Sequence, residues 1–367
     1  GHHAAIQPHA GKCRFCLAHS CHLARLGDGQ KGQGIDAPVH VPPHGGMAAS
    51  LPTASVIAAD LAGMRSQTFG LARRAGLDPH LHALSVRGIW RHVPAAWWPA
   101  PLRAVMPLHL DADYRNHPVI SIGGSGGAVG AALRRQGARV IQVQNPRLPP
   151  ARFDLVIANR HDRISGPNVV LTRTALHGVT PALLDQARRE WAPFFACLPR
   201  PLVAVLVGGG NGRFRLGRAE GASLAAQLAA MMRRDRVGIA LTPSRRTDPA
   251  VCGELQRALT GPDAWVWDQA GANPYLGLLA CADAIVVTVD SVSMISEAVA
   301  TSAPVMVASL PGRSRRIGHF LQDLTQAGRI RPFAGRLETW PVTPLDDTVM
   351  AAEAVRHHLG LASVGQQ

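Results

Sequence analysis

The run Thr288-Val-Asp290-Ser291-Val-Ser293-Met294-Ile-Ser296-Glu297-Ala298 places six polar side chains between an apolar stretch and an alanine-rich one. Before it, Ala284 to Val287 reads as a buried parallel strand; Ser293 to Ala300 reads as a helix and Pro304 to Val307 as the next strand. That order is a βαβ unit. In such a unit the strand's carboxyl end and the following helix N-terminus face one crevice. Ligands of open α/β sheets bind there, and free N–H groups favour phosphate. Glu297, about one turn into the helix, is placed to accept hydrogen bonds from a ribose or sugar diol. Spacing alone also allows a plainer reading, in which Ser291 or Ser293 caps the helix and Glu297 is a first-turn charge suited to the macrodipole.

Outward from this unit, apolar runs alternate with amphipathic segments from Ser50 onward. Beyond Leu198-Pro-Arg-Pro201 the pattern gives strand Leu202 to Val207, helix Ala219 to Arg233, strand Val237 to Leu241, helix Pro249 to Leu259, strand Ala264 to Trp267, and a short helix near Pro274 to Cys281. Before that break it gives strand Ala54 to Ala59, helix Arg65 to Ala75, strand Pro118 to Ile122, a glycine loop over Gly123 to Gly127, and helix Ala128 to Gln136. Strands Arg139 to Val143, Asp154 to Ala158 and Asn168 to Leu171 follow, then helix Pro181 to Phe195. The expected fold class is α/β, two Rossmann-like domains over 47–197 and 198–345, joined at the proline-flanked break. In the closing segment 346–367, a helix over Thr348 to Leu359 is expected to return across the first domain.

Lysine supplies the sharpest exclusion, since Lys12 and Lys31 are the only two in 367 residues. From Met47 onward no P-loop, pyridoxal phosphate Schiff base or kinase strand lysine can be built. Arginine carries nearly all of the positive charge behind the formal +14. It grips phosphate bidentately and fits an anionic partner, although a high-GC coding bias would produce the same excess. Nucleic acid is not expected, because the arginines are dispersed and stacking aromatics are scarce. The sequence has no apolar run of roughly eighteen residues and no signal-peptide pattern, so a cytoplasmic location is expected.

Cys197, Cys252 and Cys281 sit singly in apolar surroundings and read as free thiols. Cys13, Cys16 and Cys21, with His19 and His22 among them, have a spacing that suits zinc, but no second ligand pair follows at zinc-finger separation. Residues 1–46 hold both lysines, seven histidines and many glycines without hydrophobic period, and are expected to be a disordered or extraneous extension.

Three glycine-bearing or hydroxyl-rich corners follow strands of the second domain. Gly208-Gly209-Gly210-Asn211-Gly212 permits close backbone approach to a phosphate, with Arg213 and Arg215 next to it; a tight strand-to-helix turn would need the same glycines. Thr242-Pro-Ser244-Arg245-Arg246-Thr247 adds hydroxyls and paired guanidiniums. With Asp290, Ser291, Ser293 and Met294, these are consecutive corners on one sheet edge, a placement that suits a sugar diphosphate. In the first domain, Gly124-Ser-Gly126-Gly-Ala-Val-Gly130 imitates a dinucleotide fingerprint. The next strand ends Gln142-Val-Gln144-Asn145, however, without the acidic ribose ligand that fingerprint requires.

Over residues 54 to 350 the chain resembles the mitochondrial-fission "elongated mitochondria" family. The matching segments are His161-Asp162-Arg163 with Gly166-Pro-Asn-Val169, Thr242 to Thr247, Asn273-Pro-Tyr275, Asp290 to Glu297, and Pro344-Leu-Asp-Asp-Thr348. Two segments depart from it: Asp60-Leu-Ala-Gly63-Met-Arg65-Ser-Gln67, where the family tends to read Asp-Gly-Arg-Ala-Gly, and Gly123 to Gly127, which replaces a loop that commonly holds an arginine. The resemblance implies a GT-B-like fold with a cleft between the domains. It also implies a nucleotide-sugar donor as substrate on the C-terminal side, no tightly bound cofactor, no metal, and Glu297 as the ribose ligand. Eukaryotic members are described as adaptors that recruit a fission GTPase to a membrane, so a binding role without turnover stands as the alternative.

For an enzyme, His161 and Asp162 are the candidate general base and its orienting carboxylate, because an imidazole titrates near neutral pH. Trp90, Trp97 and Trp98, in an arginine-bearing and proline-broken stretch, suit either a lipid headgroup interface or ordinary packing. An anionic membrane or lipid acceptor is therefore an expected partner beside the nucleotide sugar. The sequence does not set the oligomeric state.

Overall fold

The computed structural model describes residues 51–110 and 114–361. The extension expected over 1–46, with its cysteine–histidine cluster, lies outside them. Two six-stranded sheets carry the fold, and every pairing in both is parallel. The first has the order β2-β1-β3-β4-β5-β6, from β1 (Thr53–Ala58), β2 (Asp78–Ala83), β3 (Pro118–Ile122), β4 (Arg139–Val143), β5 (Leu155–Asn159) and β6 (Val169–Thr172). The second has the order β12-β11-β10-β7-β8-β9, from β7 (Leu202–Val207), β8 (Gly238–Pro243), β9 (Ala264–Val266), β10 (Ala284–Thr288), β11 (Val305–Ala308) and β12 (Ile330–Pro332).

Central strands such as β3 and β7 are buried at every position, as helices on both sheet faces require, and this makes them continuous apolar runs. The edge strands β2 (Asp-Pro-His-Leu-His-Ala) and β12 (Ile-Arg-Pro) lack that pattern. Proline and charge suit edges, where no further strand may add. The α/β class with two Rossmann-like domains is borne out.

The helices are α1 (Ala62–Arg74), α2 (Pro101–Ala104), α3 (Gly123–Arg135), α4 (Pro181–Phe195), α5 (Arg218–Asp235), α6 (Pro249–Ala258), α7 (Tyr275–Cys281), α8 (Val292–Val299), α9 (Arg315–Gln326) and α10 (Asp347–Leu359). One correction concerns α3, which starts at Gly123, where a loop to Gly127 was expected. The glycines serve close packing: a Cβ on Gly127 would lie 2.8 Å from Pro146, and one on Gly130 would lie 2.5 Å from the Ser121 hydroxyl. Gln142 fills the adjacent space, accepting from Ser121 at 2.7 Å and donating to the carbonyls of Gly123 and Val143 at 3.1 and 2.7 Å. The false dinucleotide fingerprint is thus a helix–sheet contact.

Near the expected domain boundary at 197 the chain packs across the two domains. Helix α4 packs on α7 of the second domain, with Trp191 and Phe195 in that domain's core beside Leu202, Leu206 and Leu278. Gly277 makes room for the Trp191 ring, which a Cβ there would overlap. Helix α10 makes the reverse crossing, as expected, and buries Ala351, Ala352 and Val355 among Val56, Leu71 and Ile120 of the first domain. Each domain is therefore completed by a helix adjoining the other in sequence. Charged pairs fix the crossing: Arg74 meets Asp346 at 2.6 Å, and Arg173 meets Asp347 at 2.6 Å. Burial alone would raise the Asp347 carboxyl; hydrogen bonds from the Arg173 side chain and amide outweigh it and hold it below its ordinary value.

Candidate functional site

In the second sheet β7 and β10 are neighbours, and the chain leaves them toward opposite edges, β7 toward β8 and β10 toward β11. The loops after them flank the topological switch point where open α/β sheets bind ligands. Gly208 is the centre of this corner. Its amide donates to the Thr288 hydroxyl at 2.8 Å, and its carbonyl accepts from the Thr247 hydroxyl at 2.6 Å. Thr247 in turn accepts from the Ser244 amide at 2.8 Å, and the Asn211 side-chain amide donates to the Asp290 carbonyl at 3.1 Å. A Cβ on Gly208 would overlap the Asp290 carboxylate, and one on Gly209 would overlap the Arg246 carbonyl. The three corners read from the sequence are therefore wired to one another through backbone that only glycine allows.

Asp290 is 5% exposed, and neither carboxylate oxygen has a partner at full hydrogen-bond geometry among the described residues. Burial raises its pKa, offset in part by the nearby Thr288 hydroxyl and Gly209 amide. Arg245 and Arg246 are exposed at the rim. Thr242 is buried within β8 and does not join the corner, its hydroxyl lying 3.4 Å from the Pro243 carbonyl.

Ser291 caps α8, accepting from the Met294 amide at 3.4 Å, and Met294 packs on the core. Ser293, Ser296 and Glu297, three and four residues apart, share a helix face turned to the first domain. A Cβ on Gly63 of α1 would lie 3.6 Å from the Ser293 hydroxyl, and the Ser296 hydroxyl accepts from the Ala175 amide at 2.9 Å. Glu297 is 5% exposed. One oxygen accepts from Ser66 of α1 at 3.3 Å, and the other makes a short hydrogen bond with the Tyr275 hydroxyl. Burial pushes its pKa up to about 7, with Tyr275 and Ser66 tempering the rise. Here the candidate ribose ligand is an interdomain contact.

Across the domain interface, His161 and Asp162 follow β5, but they do not form the expected dyad. Their closest N–O approach is 3.9 Å, and Asp162 pairs instead with Arg316 of α9 at 3.2 Å. The His161 ring lies edge-on to Phe320, 6.0 Å between centroids, and neither nitrogen is hydrogen-bonded among the described residues. Burial lowers its pKa more than Asp162 raises it, so the ring is neutral at pH 7. Among the described residues there is no group of three or more His, Cys, Asp or Glu side chains placed to hold a metal.

A family model for Mitochondrial fission ELM1 matches residues 62–359. The chain belongs to this family. The mitochondrial fission protein ELM1 of Arabidopsis thaliana is 34% identical over 295 residues, covering 71% of this chain and 68% of that one. An uncharacterized protein of Rickettsia prowazekii is 24% identical over 264 residues, covering 61% of this chain and 74% of that one. Among solved structures, UDP-GlcNAc 2-epimerase from Methanocaldococcus jannaschii aligns at a TM-score of 0.49 and 12% identity, covering 84% of this chain and 99% of that one. MurG of Acinetobacter baumannii aligns at 0.46 and 14%, covering 84% and 92%.

In this ELM1-family chain three site residues escaped the sequence reading of roles: Ser66, Thr247 and Tyr275. Tyr275 carried a signal, being one of only two tyrosines and following Asn273-Pro. Ser66 lies in the stretch where the chain departs from the family pattern, and that stretch meets Ser293 and Glu297.

Proposed function

We propose that this chain binds a nucleoside diphosphate sugar at the carboxyl edge of its second sheet and transfers the sugar, with inversion, to a cell-envelope or lipid acceptor. The convergence of three βα corners on Gly208 carries the proposal. Gly209, Gly210 and Asn211, with Ser244, Arg245 and Arg246, hold the diphosphate; Ser291 and Ser293 cap it from the start of α8; Glu297 takes the ribose. The acceptor oxygen attacks the anomeric carbon, the bond to the diphosphate oxygen breaks with its electron pair leaving on the nucleotide, and the acceptor proton passes to His161. Both Glu297 and His161 are covered by the opposite domain, so turnover requires the domains to part.

That same cover favours a second reading, a protein that binds partners without turnover, in keeping with the name of its Arabidopsis relative. Calorimetric titration with UDP, GDP, ADP and CMP separates the two. The enzyme reading expects saturable binding of one nucleotide, weakened at least about tenfold in Arg245→Ala/Arg246→Ala. A folded protein that binds none of them removes it.

The acceptor side of the proposal rests on Trp97, which is 75% exposed beside Ile89 at 72% and Met106 at 52% in a segment bearing Arg87, Arg91 and Arg103. Trp98, by contrast, is a core plug, 6% exposed with its indole N–H donated to the Val93 carbonyl at 3.0 Å. Co-sedimentation with phosphatidylglycerol vesicles is expected to fall in Trp97→Ala. An unchanged bound fraction excludes membrane docking through this segment. No described helix is long and apolar enough to cross a membrane; the attachment proposed through Trp97 is peripheral, at the cytoplasmic face.

A further inference from the structure

A second concavity lies at the opposite edge of the first sheet. It has a volume of about 540 Å³ and is walled by the last turn of α3, the start of β4 and the short turn Pro150–Arg152. Four arginines line it, Arg134, Arg135, Arg139 and Arg152, against one carboxylate, Asp154. Asp154 is already committed: one oxygen takes Arg134 Nε at 2.9 Å and the other takes the Val140 amide at 2.7 Å. Arg134 is pinned further by the Ala151 carbonyl at 3.1 Å. Arg135, Arg139 and Arg152 have no acidic partner among the described residues.

Some exposed arginines elsewhere are neutralised by carboxylates. Arg218 and Arg257 share Glu254, and Arg331 and Arg336 share Glu338. Three guanidiniums with no carboxylate partner among the described residues therefore line one concavity and make its potential positive. A helix C-terminus by itself disfavours anions, but here its last carbonyls are capped: Gly137 donates to Arg134 at 3.0 Å, and Ala138 to Leu133 at 3.2 Å. The remaining charge is thus free to meet a ligand.

We infer that this concavity is a binding site for a phosphorylated ligand, distinct from the cleft, with Arg135, Arg139 and Arg152 as the phosphate grip and the Arg134–Asp154 pair as its fixed floor. Arginine forks match phosphate oxygens in pairs, and a phosphate dianion supplies the negative charge that the lining lacks.

The test uses inorganic pyrophosphate in equilibrium dialysis, on an Arg245→Ala/Arg246→Ala background so that the cleft does not contribute. Adding Arg139→Glu/Arg152→Glu is expected to weaken binding at least about tenfold, and Arg139→Lys/Arg152→Lys to weaken it less, since charge remains while the fork is lost. Both pairs are exposed, and circular dichroism checks that the fold is kept. Sedimentation with phosphatidate-containing vesicles identifies the source. Loss of vesicle binding in the Glu variant marks a lipid headgroup, and loss of pyrophosphate binding alone marks a soluble phosphate compound. Charge reversal that changes neither, or a protein that binds neither probe, overturns the inference.

Discussion

Glu297→Gln is expected to raise stability by less than about 1 kcal/mol at pH 5 and by about 3 kcal/mol at pH 8.5. The sign follows from burial. Folded, the Glu297 carboxyl titrates at about 7, above its ordinary 4.5. Between those values the folded state holds a proton that the unfolded chain has lost. Its contribution is therefore fully present below pH 4.5 and is lost as pH rises through 7. Gln cannot ionise, can still meet Ser66 and Tyr275, and so escapes that loss. The buried His161 and His177 have lowered pKa values and act in the opposite sense, stabilising the fold as pH rises through the ordinary histidine range. They are common to both proteins and cancel in the difference. Tyr275→Phe should act against the Gln change, removing the stronger of the two donors and lowering stability at pH 8.5. Urea unfolding at the two pH values measures this, and an equal Glu-to-Gln difference at both rules out an ionisable, buried Glu297.

This residue also marks where sequence reading ends. The strands β3 and β7 were legible because both of their faces are covered, which demands unbroken apolar runs. The corners at Gly208 and Asp290 were legible because glycine and short polar residues recur after strands at one sheet edge, although turns and caps use the same residues. Glu297 was legible as a polar group on α8, but its partner Ser66 lies 231 residues away, and nothing in local period encodes that meeting. The same holds for α4, whose amphipathic pattern fixes a buried face without saying which domain covers it. His161 and Asp162 are adjacent in sequence, yet a carboxylate one residue away is not thereby placed to orient an imidazole, and Arg316 from α9 claims Asp162 instead. In each case the missing information is tertiary, and the domain interface supplies it.

Gly208→Ala is expected to destabilise the second domain by about 3 kcal/mol, and the loss should depend on Asp290. The added Cβ overlaps the carboxylate of Asp290, which cannot easily step aside. It is 5% exposed, and its own carbonyl is held by Asn211 at 3.1 Å. Moving the Gly208 backbone instead would break its bonds to Thr288 and Thr247, each with buried groups left unpaired. Asp290→Ala alone should be neutral to stabilising, because it removes a buried carboxylate with no well-formed hydrogen bond among the described residues. Combining the two substitutions removes the overlap, so the double variant should recover about 2 kcal/mol of the Gly208→Ala loss. Gly212→Ala, four residues along the same loop but with nothing within 4 Å of its added Cβ, serves as the control and should shift stability by less than about 0.5 kcal/mol. Additive effects in this cycle would mean that the Gly208 requirement comes from turn geometry alone. Coupling would mean that the glycine is kept for the carboxylate. In that case Asp290 is a buried group whose charge must be met by a ligand's hydroxyl or by its own proton, and under the proposed function Asp290→Ala should lose nucleotide binding while keeping its fold.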